Sequence, residues 1–182
     1  MMRIGQVFCI TAVLNSLFLL PASAQTPDTG LLGVGADFGV FFPDEVFEKT
    51  VTLDAFGEYY VTPRVSVRGL FAWASPGFEN RTEDHFRQAK LLVSAIYNWE
   101  RGSWHPFVSG GVGAYFVRVV LDNQEDPDSE TRGGLNFGGG LEYFLDDRSA
   151  VKGEVRWDFV TEPNSGFDAT GFNLTFGYKV YF

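Results

Sequence analysis

Cysteine is all but missing from this chain. Cys9 is the only one among 182 residues, and it lies within the first twenty. Everything after it is without disulfides, thiolate metal ligands or a thiol nucleophile. Histidine is scarce as well, with only His85 and His105, which leaves little material for imidazole catalysis or a histidine metal site. Basic residues are outnumbered, 14 Lys and Arg against 23 Asp and Glu, and a surface of net charge −9 repels nucleic acid. Beyond residue 21 no apolar run approaches the roughly 20 residues of a membrane-spanning helix. No phosphate-cradling glycine motif or Cys/His metal set occurs, and the expectation is a protein without cofactor.

The first 24 residues read as a secretory signal that is removed. Arg3 supplies the basic start, Val7 to Leu20 the short apolar run, and Ala22-Ser23-Ala24 the small residues before a cut. Thr11, Asn15, Ser16 and Pro21 interrupt the run, which argues against an uncleaved anchor. The expected organisation is a signal over 1–24, a short leader over 25–30 and one domain over 31–182. Without Arg3 the mature chain has 13 basic and 23 acidic residues, a net charge of −10.

What the chain has in quantity is phenylalanine and glycine, 19 and 21 residues, and an alternation of apolar with small or polar residues. Period-2 alternation marks strands whose two faces meet different surroundings. In the last of eight such segments Phe172, Leu174, Phe176, Tyr178, Val180 and Phe182 share one face, opposite Asn173, Thr175, Gly177, Lys179 and Tyr181. In the seventh, Val151, Gly153, Val155, Trp157 and Phe159 oppose Lys152, Glu154, Arg156 and Asp158, and four charges on one strand face are no dry core. The sixth sets Leu135, Phe137, Leu141 and Tyr143 against Asn136, Gly138, Gly140 and Glu142. The fourth sets Ala89, Leu91, Val93, Ala95 and Tyr97 against Gln88, Lys90, Ser94 and Asn98, with Leu92 and Ile96 as apolar exceptions.

The first three segments follow the same rule. Val65, Val67, Phe71 and Trp73 oppose Ser66 and Arg68; Val51, Leu53, Ala55 and Tyr59 oppose Thr52, Asp54 and Glu58; Leu32, Val34, Ala36 and Phe38 oppose Gly33, Gly35 and Asp37. The fifth, about Pro106 to Val117, is too glycine-rich at Gly110, Gly111 and Gly113 for its phase to be assigned. Short links at Val61–Arg64, Asn98–Trp104 and Leu145–Ser149 alternate with longer ones near Phe41–Thr50, Ala74–His85, Val120–Gly133 and Thr161–Ala169. Short turns on one side and long loops on the other suit an outer-membrane barrel.

Aromatic placement decides which face meets lipid. With the N-terminus in the periplasm, Tyr59, Tyr97 and Tyr143 fall at one interface and Phe71, Trp73, Trp157 and Phe159 at the other. Two such belts suit amphipathic rings at two membrane–water boundaries. The opposite face then fills the lumen with Asp54, Glu58, Arg68, Lys90, Glu142, Lys152, Glu154, Arg156 and Asp158, charges of both signs. Glu58 and Arg68 flank the first turn, and Glu142 and Lys152 the third, so each pair is expected to meet.

On Pro106 to Gly113, on Phe137 to Phe144 followed by a turn and Val151 to Trp157, and on the terminal Phe182, the chain resembles the small outer-membrane barrels of the OmpX and OmpA transmembrane-domain type, over nearly all of residues 31 to 182. The resemblance implies an all-β, eight-stranded, antiparallel up-and-down transmembrane barrel in the bacterial outer membrane, monomeric and surrounded by outer-membrane lipid. It also implies that Phe182 is part of the signal read by the barrel-assembly machinery. The cell-wall-binding domain that OmpA-like proteins carry afterwards is not expected, since the sequence ends at Phe182.

Candidate chemistry is thin. His85 and His105 are expected on opposite sides of the membrane. His105 and Ser109, four residues apart on a strand, stand roughly 13 Å from each other. Glu154 and Asp158 read as members of an ion network rather than as an acid and base. The acidic stretch Asp122 to Glu130 offers oxygen ligands for a hard cation but lacks the spacing of a calcium loop, and a solvated charge run accounts for it. The reading that results is a non-enzymatic barrel whose surface loops serve adhesion, shielding or envelope integrity and bind any surface ligand. Its rivals are a narrow solute channel, a lipid-modifying enzyme and a soluble barrel carrying an apolar ligand.

Overall fold

The computed structural model describes residues 27–182 except 45–48, 75–76, 79–80, 100–101, 122–123, 126–129 and 162–169. The expected signal, 1–24, lies outside the described residues, as does most of the acidic stretch 122–130. The strands are β1 (Leu32–Pro43), β2 (Thr50–Thr62), β3 (Val65–Ala74), β4 (Gly77–Phe78), β5 (Arg81–Asn98), β6 (Trp104–Leu121), β7 (Gln124–Glu125), β8 (Glu130–Asp146), β9 (Ser149–Val160) and β10 (Gly171–Tyr181). Eight long ones form the wall in the order β1-β2-β3-β5-β6-β8-β9-β10, each antiparallel to its neighbours. The wall closes where β1 pairs with β10, from Gly33 opposite Tyr181 to Pro43 opposite Gly171. Two-residue strands β4 and β7 add to β5 and β6.

Closure gives every wall strand two partners, so no main-chain edge is left to face hydrocarbon. The alternation read from the sequence is inside out relative to a soluble protein. Large apolar residues are exposed, Phe38 at 64% and Leu135 at 61%, while Lys90, Asp158 and Lys179 are wholly buried. That overturns the soluble-carrier reading, which needs the apolar face inside. It is also the arrangement that puts the apolar rows against lipid.

Two features differ from the sequence reading. The glycine-rich strand has a definite phase: Trp104, Val108, Val112 and Phe116 point outward, and His105, Phe107, Ser109, Tyr115 and Val117 inward. The long connections are also shorter than read, because β5 and β6 run for 18 residues and β8 for 17. A membrane crossing takes only about 9–11. The β5–β6 ladder still pairs His85 with Val120 and Phe86 with Val119, so His85 sits on a strand rather than in a loop. Apolar rows mark only the lipid band. Beyond it two antiparallel strands go on satisfying each other's amides in water.

The glycines explain how a narrow lumen holds large side chains. Phe56, Leu92 and Phe107 each stand opposite a glycine on the next strand, Gly35, Gly113 and Gly140. A Cβ on any of those glycines would come within 2.2 to 2.7 Å of the facing side chain. These three large inward residues therefore lie over neighbours that have no side chain.

The rim with the short turns also carries the chain ends. Thr62 Oγ1 accepts from the amide of Val65 at 2.9 Å, and Asp146 Oδ1 from that of Arg148 at 2.8 Å. Gly30, with φ +89°, turns residues 27–31 across this rim, where its amide donates to Tyr60 O and Leu31 packs on Tyr60, Phe144, Ala150 and Tyr181. By the short-turn rule this rim is periplasmic. Exposed here are Tyr59, Tyr97 and Trp99, together with Trp104, whose ring lies 4.5 Å from that of Tyr143. Toward the other rim Phe71, Trp73, Trp157 and Phe159 are exposed, and the rings of Phe137, Trp157, Phe172 and Phe42 follow one another around the wall.

Candidate functional site: the charged interior

Inward-facing side chains of β9 form the axis of the interior. Strand parity puts Lys152, Glu154, Arg156 and Asp158 on the lumen side, and each reaches an ion partner on a strand not adjacent to β9. Lys152 Nζ lies 2.8 Å from Asp37 Oδ2 on β1. Glu154 accepts from Arg68 Nη1 on β3 at 2.6 Å. Arg156 Nη2 donates to Asp54 on β2 at 3.1 Å, and Asp158 accepts from Lys90 Nζ on β5 at 2.7 Å. Four successive lumen positions thus tie one strand across the barrel to four others.

Two groups result. In the periplasmic half Glu58 accepts from Ser66 at 2.6 Å, from Arg68 and from Lys179 Nζ at 3.2 Å, and Lys179 also meets Glu142 at 2.9 Å. Tyr181 donates its hydroxyl to Glu142, and Lys152 bridges back to Glu154 at 2.9 Å. In the outer half Asn173 donates to Asp158 at 2.9 Å and Thr52 to Asp54 at 2.9 Å. The cations also stand over inward rings: Lys90 is 4.0 Å from the Phe41 centroid, Lys152 4.3 Å from Phe56, and Arg68 lies over both Phe56 and Phe107. Rings that lie flat on glycines thereby also cover the cations.

Among the described residues the buried charged side chains are six acids (Asp37, Asp54, Glu58, Glu142, Glu154, Asp158) and six bases (Arg68, Lys90, Arg132, Lys152, Arg156, Lys179). Among them the formal charges balance.

All nine charged residues singled out in the sequence lie in this interior. Glu58 and Arg68 are register partners and meet at 3.0 Å. Glu142 and Lys152 are register partners too, but their charged ends go elsewhere, to Lys179 and to Asp37 and Glu154. Pairing in a barrel this narrow is decided across the lumen as much as between neighbours. Asp37 and Lys179, outside the nine, join the cluster as well, and parity puts both on the polar face. Each is the lone acid or base of its segment's polar row, and the ion partners that single them out come only with closure.

His105 is buried near the periplasmic rim, with Nε2 3.0 Å from Gly102 O and its ring against Phe144. Ser109 Oγ reaches Glu154 at 3.4 Å instead. His85 pairs at one end of the β5–β6 ladder, and His105 lies two residues beyond Phe107, which ends it on the other side. Among the described residues no group of three or more His, Cys, Asp or Glu is placed to hold a metal ion. Phe182 is 74% exposed and its amide donates to Leu32 O at 2.8 Å, beside the seam that closes the barrel.

Solved structures with this architecture are numerous. Neisserial surface protein A superimposes with a TM-score of 0.69 at 14% identity, over 84% of this chain and 96% of that one. The N-terminal β-barrel domain of Pseudomonas aeruginosa OprF gives 0.63 at 14% identity, over 86% and 100%. The Yersinia pestis attachment invasion locus protein Ail gives 0.57 at 14%, over 85% and 99%. No curated protein sequence matches the chain. The family model described as outer membrane protein beta-barrel domain matches residues 10–179. This chain therefore belongs to the outer membrane protein beta-barrel domain family, and it is a protein of the bacterial outer membrane.

Proposed function

We propose that the protein acts at its outer rim, with the barrel as a non-conducting, non-enzymatic anchor, and that its surface partner is basic. The observation that carries this reading is the division of charge. The buried charges among the described residues are balanced, whereas the four connections opposite the short turns, 44–49, 75–80, 122–129 and 161–170, contain ten Asp and Glu and one base, Lys49. Loops held by a rigid scaffold are the usual place for recognition. A rim in which acids outnumber bases draws partners of positive charge and repels polyanions. Ail has been crystallised with the heparin analogue sucrose octasulfate, a polyanion; the rim of this chain suits the opposite class, so adhesion would be to basic surfaces.

On the same reading residues 1–24 are removed on export, so that the mature chain starts at Gln25, and the barrel works as a monomer because closure leaves no strand edge to pair. Phe182, exposed at the seam, would be read by the assembly machinery, and the ion-paired interior is structural. Cells displaying the protein should bind a film of basic polypeptide in low salt and ignore a heparin film. Replacing Asp122, Asp126 and Asp128 by Asn should weaken that binding. Preference for heparin, or binding to the basic film that the triple replacement leaves unchanged, would refute the proposal.

A further inference from the structure

The lipid-facing wall is not smooth. Where β1, β10, β9 and β8 lie side by side a notch of about 820 Å³ is cut into it, within the size range of pockets that hold small ligands. Its floor is the main chain around Gly177, between Ala36 on β1 and Gly153 on β9, and the outward side chains of Leu141, Val151 and Tyr178 stand along its sides. Phe38 and Phe176 rise at one end, and the Phe176 ring leans over Gly153, 3.3 Å from where a Cβ would stand. Trp104 and Tyr143 rise at the other end, at the periplasmic rim. The lining is almost wholly apolar, and the one charged residue along it, Lys152, turns its Nζ to Asp37 in the lumen.

A wall of protruding side chains offers a lipid tail contact on one side only. A notch with a stiff floor and aromatic ends surrounds a tail, and dispersion contacts add with each atom enclosed. The notch is continuous with the apolar band that already meets lipid, and it opens in the periplasmic half of that band. Its end at Trp104 and Tyr143 lies at the level where amphipathic rings meet head groups. We propose that it is a site for one phospholipid of the inner leaflet, with an acyl chain over Gly153 and Ala36 and the head group level with Trp104 and Tyr143.

Native mass spectrometry of the full mature barrel, released from phosphatidylethanolamine vesicles, tests this directly. The wild type should retain one phospholipid. Gly153→Leu and Ala36→Leu, which fill the floor from two strands, should each reduce retention about tenfold. Gly69→Leu puts the same side chain at an outward glycine on β3 with open space around it, and should retain lipid like the wild type. A mobility shift on boiling selects the variants that have closed.

A second measurement needs no change to the notch. With Trp73, Trp99 and Trp157 replaced by Phe, chain-brominated phosphatidylethanolamine should quench Trp104 at a mole fraction well below that expected for random contact. Equal retention in all variants, equal loss in Gly69→Leu, a dimer in place of a lipid adduct, or quenching proportional to mole fraction would each overturn the proposal.

Discussion

On β9 two rows of side chains alternate along one strand and meet opposite demands. The outward row, Val151, Gly153, Val155, Trp157 and Phe159, touches lipid and makes no polar bond. The inward row, Lys152, Glu154, Arg156 and Asp158, makes ion pairs to β1, β3, β2 and β5. For stability the outward residues other than Gly153 are interchangeable as long as they are apolar, because lipid tails adapt to them. Inward residues are not, because each charge, taken out of water at a cost of several kcal/mol, is offset only by a particular partner. One face sets where the protein resides and the other sets its register.

Breaking the inward row should have the largest effect. Arg68 serves Glu58 and Glu154 at once, so Arg68→Met leaves two buried carboxylates short of a partner and should cost about 3–5 kcal/mol, measured by urea unfolding in lipid vesicles. A loss below about 1 kcal/mol would mean that water in the lumen replaces the guanidinium. Breaking the outward row comes next: Val155→Arg, near mid-strand, should cost about 2–4 kcal/mol, whereas Val155→Leu should cost little. Equal penalties for the two would contradict the assignment of faces.

Inside the lumen two double-mutant cycles separate register from contact. Glu142 with Lys179, which pair directly, should show coupling of about 0.5–3 kcal/mol, and Glu142 with Lys152, register partners joined only through the network, should show a smaller one. The smallest effect is expected at Asn173, which bridges Lys90 and Asp158 at 3.4 and 2.9 Å. Asn173→Ser should cost about 1 kcal/mol, the net worth of a hydrogen bond. No cost at all would make Asn173 a bystander.

The rows themselves were legible in the sequence because a strand has a side-chain period of 2 and the two surroundings differ so much in polarity. The phase of β6 was not, because Gly110, Gly111 and Gly113 have no side chains to report a face; it follows from Leu92 and Phe107 lying over Gly113 and Gly140. Strand ends were illegible for a related reason, since β5, β6 and β8 run on as hydrogen-bonded ladders after the apolar row stops. Ion partners were legible where a tight turn sets them opposite, as for Glu58 and Arg68. They were not where closure and shear decide, so Lys152 goes to Asp37, more than a hundred residues away in sequence.

Conductance in planar bilayers tests the central claim most directly, namely that the interior is closed and that function belongs to the rim. Eight strands leave a lumen only wide enough for side chains to fill, and here it is occupied by the Arg68, Glu154, Lys90 and Asp158 pairs. The refolded protein should show no steady openings at moderate voltage. Stable, reproducible ion conductance from the wild-type protein would contradict the account and return the protein to the channels.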